Sequence, residues 1–132
     1  MGSIVKSEPT SPSPDLVRLV YVSAASRELC PEDLEAIRSA SAQNNATRGI
    51  TGLLLFGGGR FYGVLEGNRR RVFNRMERII TDPRHRDLRI VREDDVAGQR
   101  FANWSFGEMP GESGRARVDT LETFILGLAG RF

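Results

Sequence analysis

Cysteine occurs once in this sequence of 132 residues, as Cys30, so no internal disulfide can form and no multi-cysteine zinc site can be built. Histidine also occurs once, at His85, which removes His-based metal clusters. No apolar run approaches the roughly 20 residues that a membrane-spanning helix needs. The amino terminus is polar and proline-bearing where a secretory leader would carry an apolar segment. Together these absences point to an intracellular, cytoplasmic chain without a membrane segment. The length suits one domain better than two. With 39% hydrophobic and 27% charged residues, the chain can fill a core and still solvate its surface.

Lysine is as scarce as cysteine: Lys6 stands alone, and all other basic residues are arginines. The net charge of +2 is too small to argue for a nucleic-acid partner. Arginine does crowd between Arg69 and Arg92, which reads as a solvated helix face or, failing that, a place for phosphate.

Residues 1–15, with the run Ser-Glu-Pro-Thr-Ser-Pro-Ser-Pro, lack apolar periodicity and read as a disordered arm. LVRLVYVS, from Leu16 to Ser23, is short and β-branched, a strand buried on both faces except at Arg18. Pro31 with Glu32 and Asp33 starts a helix that runs to about Asn45, because proline suits the first helical position and carboxylates favour the positive end of the dipole. Leu34, Ile37, Ser41 and Asn45 then share one stripe, polar at its C-terminal end.

Ile50 to Phe56 reads as a second strand, turned by Gly57-Gly58-Gly59 into a third at Arg60 to Glu66. Asn68 caps a second helix from Arg69 to about Thr81, with an apolar face of Val72, Phe73, Met76, Ile79 and Ile80, stopped by Asp82-Pro83. Leu88 to Arg92 and Trp104 to Met109 add two strands, and Val118 to Leu128 a terminal amphipathic helix. This order predicts an α+β, ferredoxin-like βαββαββ sandwich over residues 16–110, with a loop and an additional C-terminal helix over 111–132. The sheet face away from the two helices needs a cover, supplied by the terminal helix or by a second copy of the chain.

Catalytic patterns are thin. Nothing around Cys30 or the serines forms a nucleophile elbow, and the three glycines lack the helix and Gly-Lys-Ser/Thr ending of a phosphate loop. Carboxylates such as Glu66, Glu93, Asp94 and Asp95 read as solvated strand ends. The chain is therefore not expected to be an enzyme.

The informative set is Tyr21, Ser41, Asn45, the segment RFYGVLEG and Trp104. Through LVYVSAAS, PEDL, NNATRGITGLLLF, GRFYGVLEG, TDPRHRDL and RFANWSFGE, in order, the sequence resembles the BLUF family of flavin-binding blue-light sensors. The resemblance implies the ferredoxin-like fold, FAD as cofactor and a separate downstream protein as partner. It puts the flavin ring between the two helices, with Ile37 and Ile79 as flanking aliphatics and Asn45 as the flavin-contacting asparagine. A helix C-cap is the alternative role for Asn45. Tyr21 matches the tyrosine that, in this family, gives an electron and then a proton to the excited flavin. Ser41 joins this polar edge or bonds back to its own helix. Phe61 lies near the ring or in the core, and the pair Arg84 and His85 is expected near the ribityl or phosphate tail.

Two positions depart from the family pattern. Gly63 stands where photoactive members carry the glutamine that links the tyrosine to the flavin, and Phe106 replaces a common methionine beside the retained Trp104. Glycine offers no side-chain donor or acceptor for that relay. The expectation is a flavin-binding module with an absent or altered photocycle, in which the freed volume holds water or takes in Tyr62, Phe106 or Trp104, and in which Gly63→Gln recovers the relay. Two other readings stand beside it. One is a flavin-free interaction domain with a docking or homo-oligomer surface. The other is an RNA-binding domain of βαββαβ order, against which the adjacency of Phe61 and Tyr62 argues, since neighbours on a strand point to opposite faces.

Overall fold

The structure, a computed structural model, describes residues 15–108. The elements follow in the order β1 (Leu16–Ala25), α1 (Pro31–Thr47), β2 (Thr51–Gly57), β3 (Arg60–Asn68), α2 (Arg69–Thr81), β4 (His85–Asp95) and β5 (Trp104–Glu108). This is the expected α+β, ferredoxin-like βαββαββ order. Boundaries moved outward at α1, by two residues at its end, and at β4, which opens at His85 rather than Leu88. The expected terminal helix and nearly all of the expected arm lie outside the described residues. Asp15 is described, and its carbonyl accepts a hydrogen bond from the Arg69 amide at 2.6 Å.

Local chemistry accounts for the element ends. Asp33 accepts the Cys30 amide at 3.0 Å, closing the first turn of α1, where Glu32 and Asp33 face the positive end of the dipole. Asn68 Oδ1 accepts the Arg71 amide at 3.1 Å and caps α2. Gly58 and Gly59 both take positive φ, 59° and 78°, as a tight two-residue hairpin between β2 and β3 requires.

The strands form one sheet in the order β4-β1-β3-β2-β5, antiparallel except for the parallel pair β2 and β5. β1 and β3 are central, and the strand period of two divides their side chains between two faces. Val17, Leu19, Tyr21, Phe61 and Leu65 meet Ile37 of α1 and Val72, Met76 and Ile79 of α2 in the main core. Val20, Val22, Tyr62 and Val64 form a second cluster on the other face, with Leu55, Val91 and Phe101 packed against it. Phe61 and Tyr62 are thus buried on opposite faces, each with no exposed surface, so they form no stacking platform for bases.

Three expectations need correction. Arg18 does not interrupt the burial of β1: it is 2% exposed and pairs with Glu66, which is fully buried rather than solvated. Ile80 leaves the apolar face of α2 and is 52% exposed, because a half turn separates it from the Val72, Met76 and Ile79 stripe that meets the sheet. No helix of the described residues is long and apolar enough to cross a membrane.

Candidate functional site

α1 and α2 cover the same sheet face, and a cavity of about 530 Å³ opens between them. That volume falls within the roughly 300–1,000 Å³ of small-molecule sites. Ile37, Leu54, Leu65 and Ile79 supply aliphatic wall; Ser41, Asn45 and Arg75 supply polar groups; Thr81 to His85 and Trp104 close the rim. Of the eleven residues expected from sequence, Tyr21, Ile37, Ser41, Asn45, Ile79, Arg84, His85 and Trp104 line this cavity. Phe61, Gly63 and Phe106 do not. Phe61 is core, and Phe106 packs on the core from β5.

Asn45 is 1% exposed and its Oδ1 has no hydrogen-bond partner. An unsatisfied buried acceptor costs about 1–3 kcal/mol, so this atom is set to meet a donor from a ligand. Its alternative role as a cap is not the one it plays. α1 ends at Arg48, and it is the Asn45 backbone carbonyl that takes the Arg48 and Ile50 amides, at 3.1 and 2.9 Å. One turn earlier, Ser41 Oγ accepts from the Arg75 guanidinium at 3.1 Å instead of bonding back to its own helix.

Gly63 sits directly opposite Tyr21 in the β1–β3 ladder. A Cβ built there would overlap Cζ and Cε2 of Tyr21 and lie 2.6 Å from its Oη. The volume vacated by the missing side chain is therefore filled by the Tyr21 ring, and not by water, Tyr62, Phe106 or Trp104. It follows that Gly63→Gln meets a pocket already rearranged: the phenol must turn away before any amide fits. Burial pushes the Tyr21 phenol above its ordinary value, against the pull of Arg75, so it stays neutral.

Arg84 and His85 separate in role. Arg84 is bound by Asp82, with Nε at 3.0 and 3.2 Å from the two carboxylate oxygens and a terminal nitrogen at 2.7 Å, so its charge is largely committed within the turn after α2. His85 opens β4 rather than closing α2. Its ring packs on Phe61 at 4.4 Å between centroids, and Nδ1 shares a 2.8 Å hydrogen bond with Ser23 Oγ. Desolvation lowers the His85 pKa, with Arg84 and Arg75 adding to the shift and Asp82 opposing it. A depressed histidine pKa means that the unfolded chain binds the proton first as pH falls. Its contribution to stability is thus present above about 6.5 and shrinks as pH falls below that value toward the folded pKa. The difference in melting temperature between the wild type and His85→Gln is expected to narrow from pH 7.5 to 5.5, which differential scanning fluorimetry measures directly.

Arg75, Arg78, Asp82, Asn44 and Leu54 also line the cavity and were missed in the sequence. For Arg75 a signal existed. Val72, Arg75, Met76 and Ile79 follow the spacing of a buried helix stripe, and an arginine inside that stripe is a charge aimed at the interior.

A ferredoxin-like sheet with two helices and an interhelical slot of aliphatic walls and amide edge defines a small-molecule-binding sensor domain rather than a hydrolase. The chain belongs to the BLUF family: the family model described as sensors of blue-light using FAD matches residues 16–107. It is 42% identical over 76 residues, 58% of its length, to the photoactivated adenylate cyclase subunit beta of Euglena gracilis, of which that match is 9%. The corresponding match to the Euglena longa subunit is 35% over 91 residues, 68% of this chain and 11% of the relative. The chain thus spans about a tenth of the curated relatives it matches. Among solved structures, BlrB, a BLUF protein in its dark state, superposes with a TM-score of 0.70 at 32% identity, covering 83% of each chain.

Proposed function

We propose that the chain is a FAD-dependent blue-light sensory module of the cytoplasm, without catalytic chemistry of its own, whose light response runs without the usual glutamine relay. In this reading it reports to a separate polypeptide, and a second copy of the chain is a further candidate for the receiving surface. Bound FAD would supply a planar ring that absorbs blue light and exchanges electrons. The chain's own residues fit such a ring. Ile37 and Ile79 offer apolar contact from the two helices, Leu54 and Leu65 floor the slot, and Asn45 Oδ1 awaits an N–H donor. Residues 16–110 would carry these functions, with the segments on either side serving as arm and docking element.

The observation that carries the altered response is the Tyr21 ring standing against Gly63. With no amide between the phenol and the cofactor, hydrogen bonds cannot exchange through a turning side chain at this position. The test is to load the full chain with FAD and illuminate it with blue light. The expected result is a flavin spectrum in the dark without the reversible red-shifted state. A normal reversible red shift would overturn the proposal, and a colourless protein that takes up no FAD would favour the flavin-free interaction domain.

A further inference from the structure

Two residues lining the cavity each carry a buried polar atom without a hydrogen-bond partner, and the two atoms are opposite in kind: Asn45 Oδ1 accepts, whereas Arg75 Nε–H donates. The helices bring them to one polar edge. Asn45 follows Ser41 by one turn of α1, which sets their Cβ atoms about 5–6 Å apart. Arg75 reaches across from α2 to donate to Ser41 Oγ at 3.1 Å. No carboxylate pairs with Arg75 among the described residues, and its charged neighbours are mainly cations, Arg48 and Arg78, with Asp82 more weakly felt. A half-buried guanidinium with a free buried N–H and no counter-ion is a strong donor held ready for a ligand.

We infer that Arg75 is a cofactor-binding residue of this chain, that its Nε–H and Asn45 Oδ1 together take the –CO–NH– edge of a cyclic imide, and that Ser41 positions the guanidinium. The inference rests on the flavin reading of the cavity. The imide edge of a flavin presents a carbonyl beside an N–H, the complement of this donor and acceptor. The arginine also places positive charge beside the ring, where it favours electron-rich forms of the bound molecule. Arg84, whose charge is taken by Asp82, does not fill this role.

The experiment titrates riboflavin and FAD separately into the full-length wild type, Arg75→Met, Arg75→Lys, Ser41→Ala and the Ser41→Ala/Arg75→Met double variant, reading affinity by flavin fluorescence and the melting temperature of each flavin-free protein. Arg75→Met is expected to weaken both ligands by the same factor, about tenfold or more. Its flavin-free melting temperature should match or exceed that of the wild type, because a desolvated, unpaired group is removed. Arg75→Lys keeps the charge without the Nε donor and should remain weaker than the wild type. Ser41→Ala should weaken binding on its own but add nothing to Arg75→Met. Unchanged affinity in Arg75→Met overturns the inference while leaving the flavin reading intact. A loss seen with FAD and not with riboflavin overturns the imide assignment, since the arginine would then serve the phosphates. If the wild type binds neither ligand, the flavin reading itself fails.

Discussion

Replacing Glu66 with leucine is expected to lower the stability of the domain by about 3–5 kcal/mol, the largest effect of any single substitution considered for this chain. Arg18 Nε and Glu66 Oε2 lie 2.6 Å apart, with side chains 3% and 0% exposed. Removing the carboxylate leaves a guanidinium with little access to water and no partner of similar strength. The second oxygen of Glu66 adds to the cost, since Oε1 accepts the Phe101 amide at 2.9 Å and lies 3.4 Å from Thr51 Oγ1. One carboxylate thus ties β1, β2, β3 and the segment before β5 together on the sheet face opposite the cavity. The loss is a large share of the 5–15 kcal/mol typical of a domain. The Arg18→Met/Glu66→Leu double variant should recover most of it, because an apolar pair of similar volume needs no compensation. Urea denaturation of the wild type, both single variants and the double variant measures the coupling. A Glu66→Leu midpoint equal to that of the wild type would show that the pair contributes nothing.

Gly63→Ala is the second expected large effect. Its methyl group enters space held by the Tyr21 ring, and overpacking of this kind costs about 1–3 kcal/mol. The cost has a specific signature. Tyr21→Leu removes Cζ, Cε2 and Oη, the three atoms met by the new Cβ, so Gly63→Ala should be far less costly in that background. A double-mutant cycle by denaturation reads the interaction. Equal costs in the two backgrounds would mean that the ring does not hold this position. The same geometry bears on the light response. A glutamine at 63 competes with Tyr21 for one volume, so its return alters stability and the spectrum of bound flavin together.

Why an aromatic ring lies there has a physical reason. Tyr21 and Gly63 face each other across adjacent central strands, and a ring laid over a glycine shields backbone that has no side chain of its own. In the sequence, Gly63 reads as a missing glutamine. In the fold it is half of a tyrosine–glycine contact, visible only once β1 and β3 are in register.

The same division runs through the rest of the molecule. The stripe Leu34, Ile37, Ser41 and Asn45 was legible because a helix repeats every 3.6 residues, and all four are buried as the spacing implies. The hairpin was legible in its glycines, and α2 in its cap and stop. Glu66 was not: an acidic residue near a strand end reads as solvated, and its burial depends on Arg18 arriving from another strand. Arg84 looked available until Asp82 took its charge, and Arg75 looked solvated until α2 docked and turned it toward Ser41.

Local pattern by itself therefore determined the order of elements, the faces they bury and the family to which the motifs belong, because periodicity and turn chemistry act between near neighbours along the chain. Tertiary structure alone decided which polar groups are satisfied and which wait for a ligand. A hydrogen bond or an occupied volume depends on what stands opposite, and strand register and helix docking set that across long separations in sequence.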